Sequence, residues 1–225
     1  MIIKVCGMRC GENIAEVASL GIDFIGLIFW KHSPRYVKMI PTGAGIIPDR
    51  TSIDGKCTGN EVKRVGVFVD DMAQNIITRA VNYRLDYIQL HGNETPTFIK
   101  NLRATLCNDI CPNISFIKSI SVESAEDLER CHEYEDCVEL FLFDTRCKCV
   151  GGSGRQFDWS ILQHYKGKKP FLLSGGIGPD DAERLRSFHH PAFAGIDLNS
   201  RFETEPGLKD ADAIRKFMEA LGNAR

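Results

Sequence analysis

The stretch FLLSGGIGPDDAERLRSFHHPAFAGIDLNS, residues 171–200, holds one full period of the chain. An apolar run, FLLSGG from Phe171, ends in a glycine turn. A charged segment with helical spacing, PDDAERLRSF from Pro179, follows, and a second apolar run, FAGIDL from Phe193, leads into another turn. Proline at the first helical position with two aspartates behind it is a helix start. Apolar runs that are nearly continuous, rather than alternating with polar residues, belong to a parallel sheet covered on both faces.

Working outward, six more runs of the same kind precede this unit: IIKVCG from Ile2, DFIGLIF from Asp23, RVGVFVD from Arg64, YIQLHG from Tyr87, SFIKSI from Ser115 and LFLFD from Leu140. Segments with helical periodicity lie between most of them, among them NIAEVASLG from Asn13, MAQNIITRAVN from Met72 and SAEDLERCHEY from Ser124, where Ser124 and Asp127 are spaced as a helix start. Residues 208–221 predict a closing helix. Eight strand-then-helix units predict an α/β fold, a single (β/α)8 TIM barrel domain over residues 1–225. One connection breaks the rhythm: KMIPTGAGIIPDRTSIDGKCTGNEVK, from Lys38, carries two prolines and scattered glycines. Helix 2 is therefore expected to be short, displaced or replaced by an irregular loop. The rival, a doubly wound open sheet, needs fewer strands and usually a GxGxxG after the first, and KVCGMRCGEN has none.

Charge adds little to this. The 225 residues carry 28 basic and 30 acidic side chains, a formal charge of -2, which gives no footprint for nucleic acid, so any bound anion must be caught locally. No run approaches the roughly 18 apolar residues of a membrane span, and MIIKVCGMRC lacks the pattern of a secretory leader. The expectation is a cytoplasmic protein, monomer or homodimer, with no membrane partner. Nine cysteines, an odd number spread over the chain, read as mostly reduced thiols. Cys147 and Cys149 form only a CxC, and Cys107 with Cys111 lacks a second ligand pair, so no structural zinc is expected.

In a barrel, chemistry gathers where strands end and the following loops converge. Those ends supply Cys6, Phe29 with Arg35 beyond it, Asp70, His91, Ser119, Asp144, Gly175, Gly176 and Asp197. The glycine-rich turns after strands seven and eight, SGGIGPDDAE and GIDLNSRFE, stand where this architecture often holds phosphate on backbone N–H groups. A small phosphorylated substrate follows. Asp144 runs straight into GGSG, residues 151–154, an acid delivered into a flexible loop.

KVCGM, GLIFWKHSPRYV, VGVFV, QLHG, DTRCKCVGGSGRQFDW, LSGGI and GIDLNSRFE with EPGLKD, in that order along almost the whole chain, resemble the phosphoribosylanthranilate isomerase family of tryptophan biosynthesis. The resemblance implies a (β/α)8 fold and an Amadori rearrangement of N-(5-phosphoribosyl)anthranilate without cofactor or metal. It implies Asp144 as the general acid that opens the furanose ring and Cys6 as the general base at C2 of the sugar. It also implies Arg35 as the ligand of the anthranilate carboxylate. A base of this kind needs a thiolate, so the site is expected to lower the thiol from its free value of about 8.5. The acid must keep its proton near neutrality. Backbone N–H groups around Gly152, Ser153, Gly175, Gly176, Asn199 and Ser200 are expected to hold the phosphate, with Asp197 orienting hydroxyls or the catalytic pair.

The same residues have plainer uses: Cys6 as a small core residue, Asp144 as a helix cap or partner of Arg146, Arg35 as a surface cation, His91 as a histidine satisfied by backbone. Two alternatives of function stay open, another phosphosugar isomerase or epimerase and a non-catalytic barrel that binds a phosphorylated metabolite. Where the family commonly has a glycine, this chain has Arg201, which either supplements phosphate binding or points to solvent.

Overall fold

A computed structural model describes residues 1–38, 62–144 and 158–222. Eight parallel strands close into a barrel in chain order: β1 Ile2–Cys6, β2 Phe24–Ile28, β3 Lys63–Phe68, β4 Tyr87–Leu90, β5 Ser115–Ser121, β6 Leu140–Asp144, β7 Phe171–Ser174 and β8 Phe193–Leu198. β8 returns to β1 with Ile2 opposite Gly195 and Lys4 opposite Asp197. All eight runs expected from the sequence are strands, within a residue or two of their expected ends. The expectation for helix 2 falls on residues 39–61, outside the described residues.

Alternation along each strand sorts the side chains. Outward residues such as Ile3, Val5, Phe116, Phe141 and Phe143 pack against the helices in the main core. Inward residues Phe24, Val65, Ile117, Leu140, Leu142 and Leu172 fill the barrel as a second cluster. Lys4 and Asp197 lie inward as well, buried and 2.9 Å apart. β6 shows the scheme: Leu140 and Leu142 fill the barrel, and Asp144, next on the same face, comes out at its C-terminal mouth.

The helices are α1 Gly11–Ala18, α2 Ala73–Asn82, α3 Pro96–Asp109, α4 Ala182–Arg186 and α5 Ala211–Ala220. Thr95 caps α3 by accepting from the Phe98 amide, with Pro96 in the first turn. Two expectations need correction. Ala125–Glu133 is a 3-10 helix, although the Ser124 and Asp127 capping box is present. Its buried residues Leu128 and Cys131, with the buried C-cap Tyr134, recur every three positions, the period of a 3-10 helix rather than an α-helix. The closing helix also starts three residues later than expected. Leu208–Lys209 is a short strand, β10, antiparallel to β9 Glu203–Glu205, and Asp210 then caps α5 through the Ala213 amide at 2.9 Å.

Among the described residues no helix is long and apolar enough to cross a membrane.

Candidate active site

The C-terminal mouth of the barrel opens into a cavity of about 760 Å³. β1 delivers Cys6 to its floor, 3% exposed. Two glycines make room around it. A Cβ at Gly26 would sit 2.7 Å from the Cys6 sulfur. One at Gly7 would meet Arg35 Cδ at 2.5 Å and Asn199 Oδ1 at 2.8 Å, and Gly7 has φ +79°, a backbone conformation that suits glycine. The KVCG stretch is thus fixed by sterics on both sides of the thiol.

Burial pushes the Cys6 thiol up from its ordinary value, while the cations of Lys4 and Lys209 pull it the other way and Asp197 adds to the rise. The expectation of a lowered thiol is therefore corrected: desolvation outweighs the nearby cations. Lys4 itself is raised, because the Asp197 carboxylate and the Cys6 sulfur together outweigh a burial that opposes the charge.

Across the cavity, Asp144 ends β6 at 6% exposure, with its Oδ2 3.5 Å from His91 Nε2. Gln89, inward on β4, places its amide nitrogen 3.3 Å from His91 Nδ1 and 3.1 Å from Ser119 Oγ. A side-chain chain thus runs Ser119, Gln89, His91, Asp144 from the barrel interior to the mouth.

Arg35 lines the cavity, but its guanidinium is already engaged. Nε contacts both Glu203 oxygens at 2.8 and 3.0 Å, and Nη2 contacts Oε2 at 2.5 Å. Glu203 also accepts from Lys209 Nζ at 2.6 Å and from the Gly207 amide at 3.2 Å. Although burial opposes ionisation, Arg35 and Lys209 hold the Glu203 carboxyl below its usual range. Lys209 Nζ donates in addition to Asn199 Oδ1 at 2.9 Å, so the loop after β8 is tied to the Arg35 loop through one buried carboxylate.

The glycine turn after β7 lines the same mouth. Gly175 and Gly176 have φ of +97° and +73°, which side chains other than glycine rarely adopt. Asn199, Ser200 and Arg201 line the cavity beside them. Arg201 runs along Gly178, where a Cβ would lie 3.2 Å from its Nε.

A model of the N-(5'-phosphoribosyl)anthranilate (PRA) isomerase family matches residues 3–220. The chain belongs to this family. An N-(5'-phosphoribosyl)anthranilate isomerase of Parabacteroides distasonis is 49% identical over 98% of this chain and 93% of its own. The crystal structure of generated monomers of the dimeric isomerase from Thermotoga maritima has a TM-score of 0.72 at 29% identity, covering 99% of both chains. Another isomerase structure, in complex with reduced 1-(o-carboxyphenylamino)-1-deoxyribulose 5-phosphate, has a TM-score of 0.71 at 27% identity, again covering 99% of both.

Of the residues singled out by the family pattern, Cys6, Arg35, Asp144, Gly175, Gly176, Asp197, Asn199 and Ser200 line one cavity. Gly152 and Ser153 fall outside the described residues. Three strand-end assignments need correction. Phe29 faces the outer core, with its ring 5.3 Å from that of Phe68, and its neighbours Ile28 and Trp30 line the cavity instead. Val67 and Val69 line it where Asp70 was expected, while the Asp70 carboxylate accepts from the Asn93 amide at 2.6 Å. Ser121 replaces Ser119, which lies lower on the same face. Sequence reasoning gave His91 no catalytic role and passed over Lys4, Glu203 and Lys209. The signal for Lys4 was a lone cation between apolar neighbours on the face that ends in Cys6.

Proposed function

We propose that this chain catalyses the Amadori rearrangement of N-(5'-phosphoribosyl)anthranilate to 1-(2-carboxyphenylamino)-1-deoxyribulose 5-phosphate, with Asp144 as general acid and Cys6 as general base. The observation that carries the reading is the placement of these two groups, on the non-adjacent strands β1 and β6, in one cavity that Arg35 and the glycine turn after β7 also line. Asp144 gives its proton to the furanose oxygen, the C1–O bond breaks, and the anthranilate nitrogen supplies electrons for a protonated Schiff base. The Cys6 thiolate then removes the C2 proton, and the electrons of that bond form the enolamine that tautomerises to the ketose. No step calls on a cofactor or metal.

Arg35, its Nε and Nη2 held by Glu203, brings its guanidinium charge to the anthranilate carboxylate. Gly175, Gly176, Asn199 and Ser200, joined by Gly152 and Ser153, supply the convergent donors a phosphate dianion needs, and Arg201 adds charge. Asp197 holds Lys4 beneath Cys6. The chain works as one barrel domain on a small phosphorylated substrate, in the cytoplasm, as monomer or homodimer.

Substrate generated in situ by a phosphoribosyltransferase should lose its fluorescence rapidly when this protein is added. Folded protein that leaves the fluorescence unchanged would remove the reading.

Two predictions attach to it. Because burial raises Cys6 and a base must be deprotonated, kcat/KM should climb with pH through the alkaline side of neutrality. Lys4→Gln takes away a cation that favours the thiolate, so that limb should move further alkaline in a pH–rate profile. A limb that stays put or moves toward acid would refute the assignment of Cys6. His91 stands between Gln89, 3.3 Å from its Nδ1, and Asp144, 3.5 Å from its Nε2, and so orients the carboxyl. His91→Ala should lower kcat roughly tenfold, less than the loss of a positioned acid or base itself, with a smaller change in KM. An unchanged kcat would count against this positioning role.

A further inference from the structure

Five large hydrophobic residues among those described are more than two-fifths or about two-fifths exposed: Met1, Trp30, Met72, Val81 and Ile110. Of these, Trp30 alone lines the cavity. Its indole is 40% exposed and meets the His32 ring at 5.4 Å with a 60° tilt. An indole left open at the mouth of a polar cavity is a surface waiting for an apolar partner.

The loop that carries it is tightly held. The Ser33 amide donates to the Trp30 carbonyl at 3.0 Å, the Tyr36 amide to the Ser33 carbonyl at 3.0 Å, and the Arg35 amide to Ser33 Oγ at 3.1 Å. Val37 then returns to β2 through the Ile28 carbonyl at 2.8 Å. This double turn fixes an aromatic face and a guanidinium five residues apart on one short excursion, both at the same cavity. Ile28 and Pro34 add apolar surface between them. A ring bearing a carboxylate matches that pair: the acid reaches the cation while the ring lies on the indole.

We propose that Trp30 is the residue that selects for the aryl group of the substrate, stacking on the anthranilate ring whose carboxylate is held by Arg35. The proposal rests on the isomerase reading above. Stacking of this kind acts on substrate binding and leaves proton transfer at Cys6 and Asp144 to those groups.

The test is calorimetric titration of wild type, Trp30→Ala and Trp30→Phe with two probes. One is reduced 1-(o-carboxyphenylamino)-1-deoxyribulose 5-phosphate, which carries the ring, and the other is ribose 5-phosphate, which does not. Trp30→Ala should weaken the aryl probe roughly five- to twentyfold, the combined worth of an aromatic pair and its buried area. Ribose 5-phosphate affinity should stay within twofold, and Trp30→Phe should recover most of the loss. The KM for phosphoribosylanthranilate should rise by a similar factor, with kcat moving less.

Equal weakening of both probes would mark a structural role and overturn the proposal, as would an unchanged affinity for the aryl probe. Trp30→Leu, which keeps apolar bulk without a π face, stands in if the alanine variant does not fold, and it should weaken the aryl probe more than Trp30→Phe does while leaving ribose 5-phosphate affinity within twofold. Wild-type protein that neither binds the aryl probe nor turns over phosphoribosylanthranilate would overturn the isomerase reading itself. Normal wild-type turnover with an indifferent Trp30→Ala would overturn only this inference.

Discussion

Replacing Cys6 with serine, or Asp144 with asparagine, should lower kcat by about 10²–10⁴, the usual contribution of one positioned acid or base. Both changes are close to isosteric, so the cavity and its binding groups stay in place and KM should change far less than kcat. Cys6→Ser keeps a small polar group between Gly26 and Lys4 but replaces a thiol with a far weaker acid, so the alkaline rise of kcat/KM should vanish along with the rate. Asp144→Asn keeps the contact distance to His91 but has no carboxyl proton to give. The double variant should be little worse than the slower single variant, since in the proposed reaction the two groups serve one sequence of proton transfers and their losses do not add. Stopped-flow or steady-state fluorescence on folded protein reads all three. Near-normal turnover in either single variant would refute that residue's role.

The largest effect on stability should come from outside the cavity. Lys118 lies on the outer face of β5, 1% exposed, with its ammonium 3.3 Å from Glu94 and within 2.7–3.2 Å of the Leu90, Gly92 and Ser119 carbonyls. Burial lowers its pKa against the opposing pull of Glu94. The Glu94 carboxylate in turn accepts from the Asp70 and Gly92 amides, so a single buried pair ties the loops after β3 and β4 together. Lys118→Met would leave a buried carboxylate and three carbonyls without their cation, at a cost of about 3–5 kcal/mol. For a barrel of this size that is a fall in Tm of roughly 6–20 °C. Lys118→Met combined with Glu94→Gln should be more stable than Lys118→Met alone, because the uncompensated charge is gone. Denaturant unfolding that shows a loss under about 1 kcal/mol would mean the pair is no more than a surface contact.

The barrel was legible because its evidence is periodic. Eight apolar runs at regular spacing leave few other folds, and those runs are the eight strands. The same continuity hid the parity of each strand. A run that is apolar on both faces does not say which residue looks inward, and so Phe29 and Asp70 were placed at a mouth that Trp30 and Val69 line. The 3-10 turn at Ala125–Glu133 was hidden for a related reason, since its capping signal is shared with α-helices. Cys6, Arg35, Asp144 and Asp197 were legible through motifs attached to strand ends. Glu203, Lys209 and Lys4 were not, because their contacts cross 168, 6 and 193 positions of sequence, and charge alone does not reveal a buried partner.

The contact between Lys4 and Asp197 also carries a consequence for how the protein is made. Its two halves are separated by 193 positions, and β1 has β8 as one of its two neighbours. Lys4 leaves the ribosome well before the carboxylate that neutralises it, which follows 193 residues later. Until then β1 offers an open edge and an uncompensated ammonium, the kind of surface on which partly made barrels stick to one another. A nascent chain of this protein is therefore most vulnerable just before β8 is translated, and any slowing of translation ahead of Phe193 would lengthen that exposure.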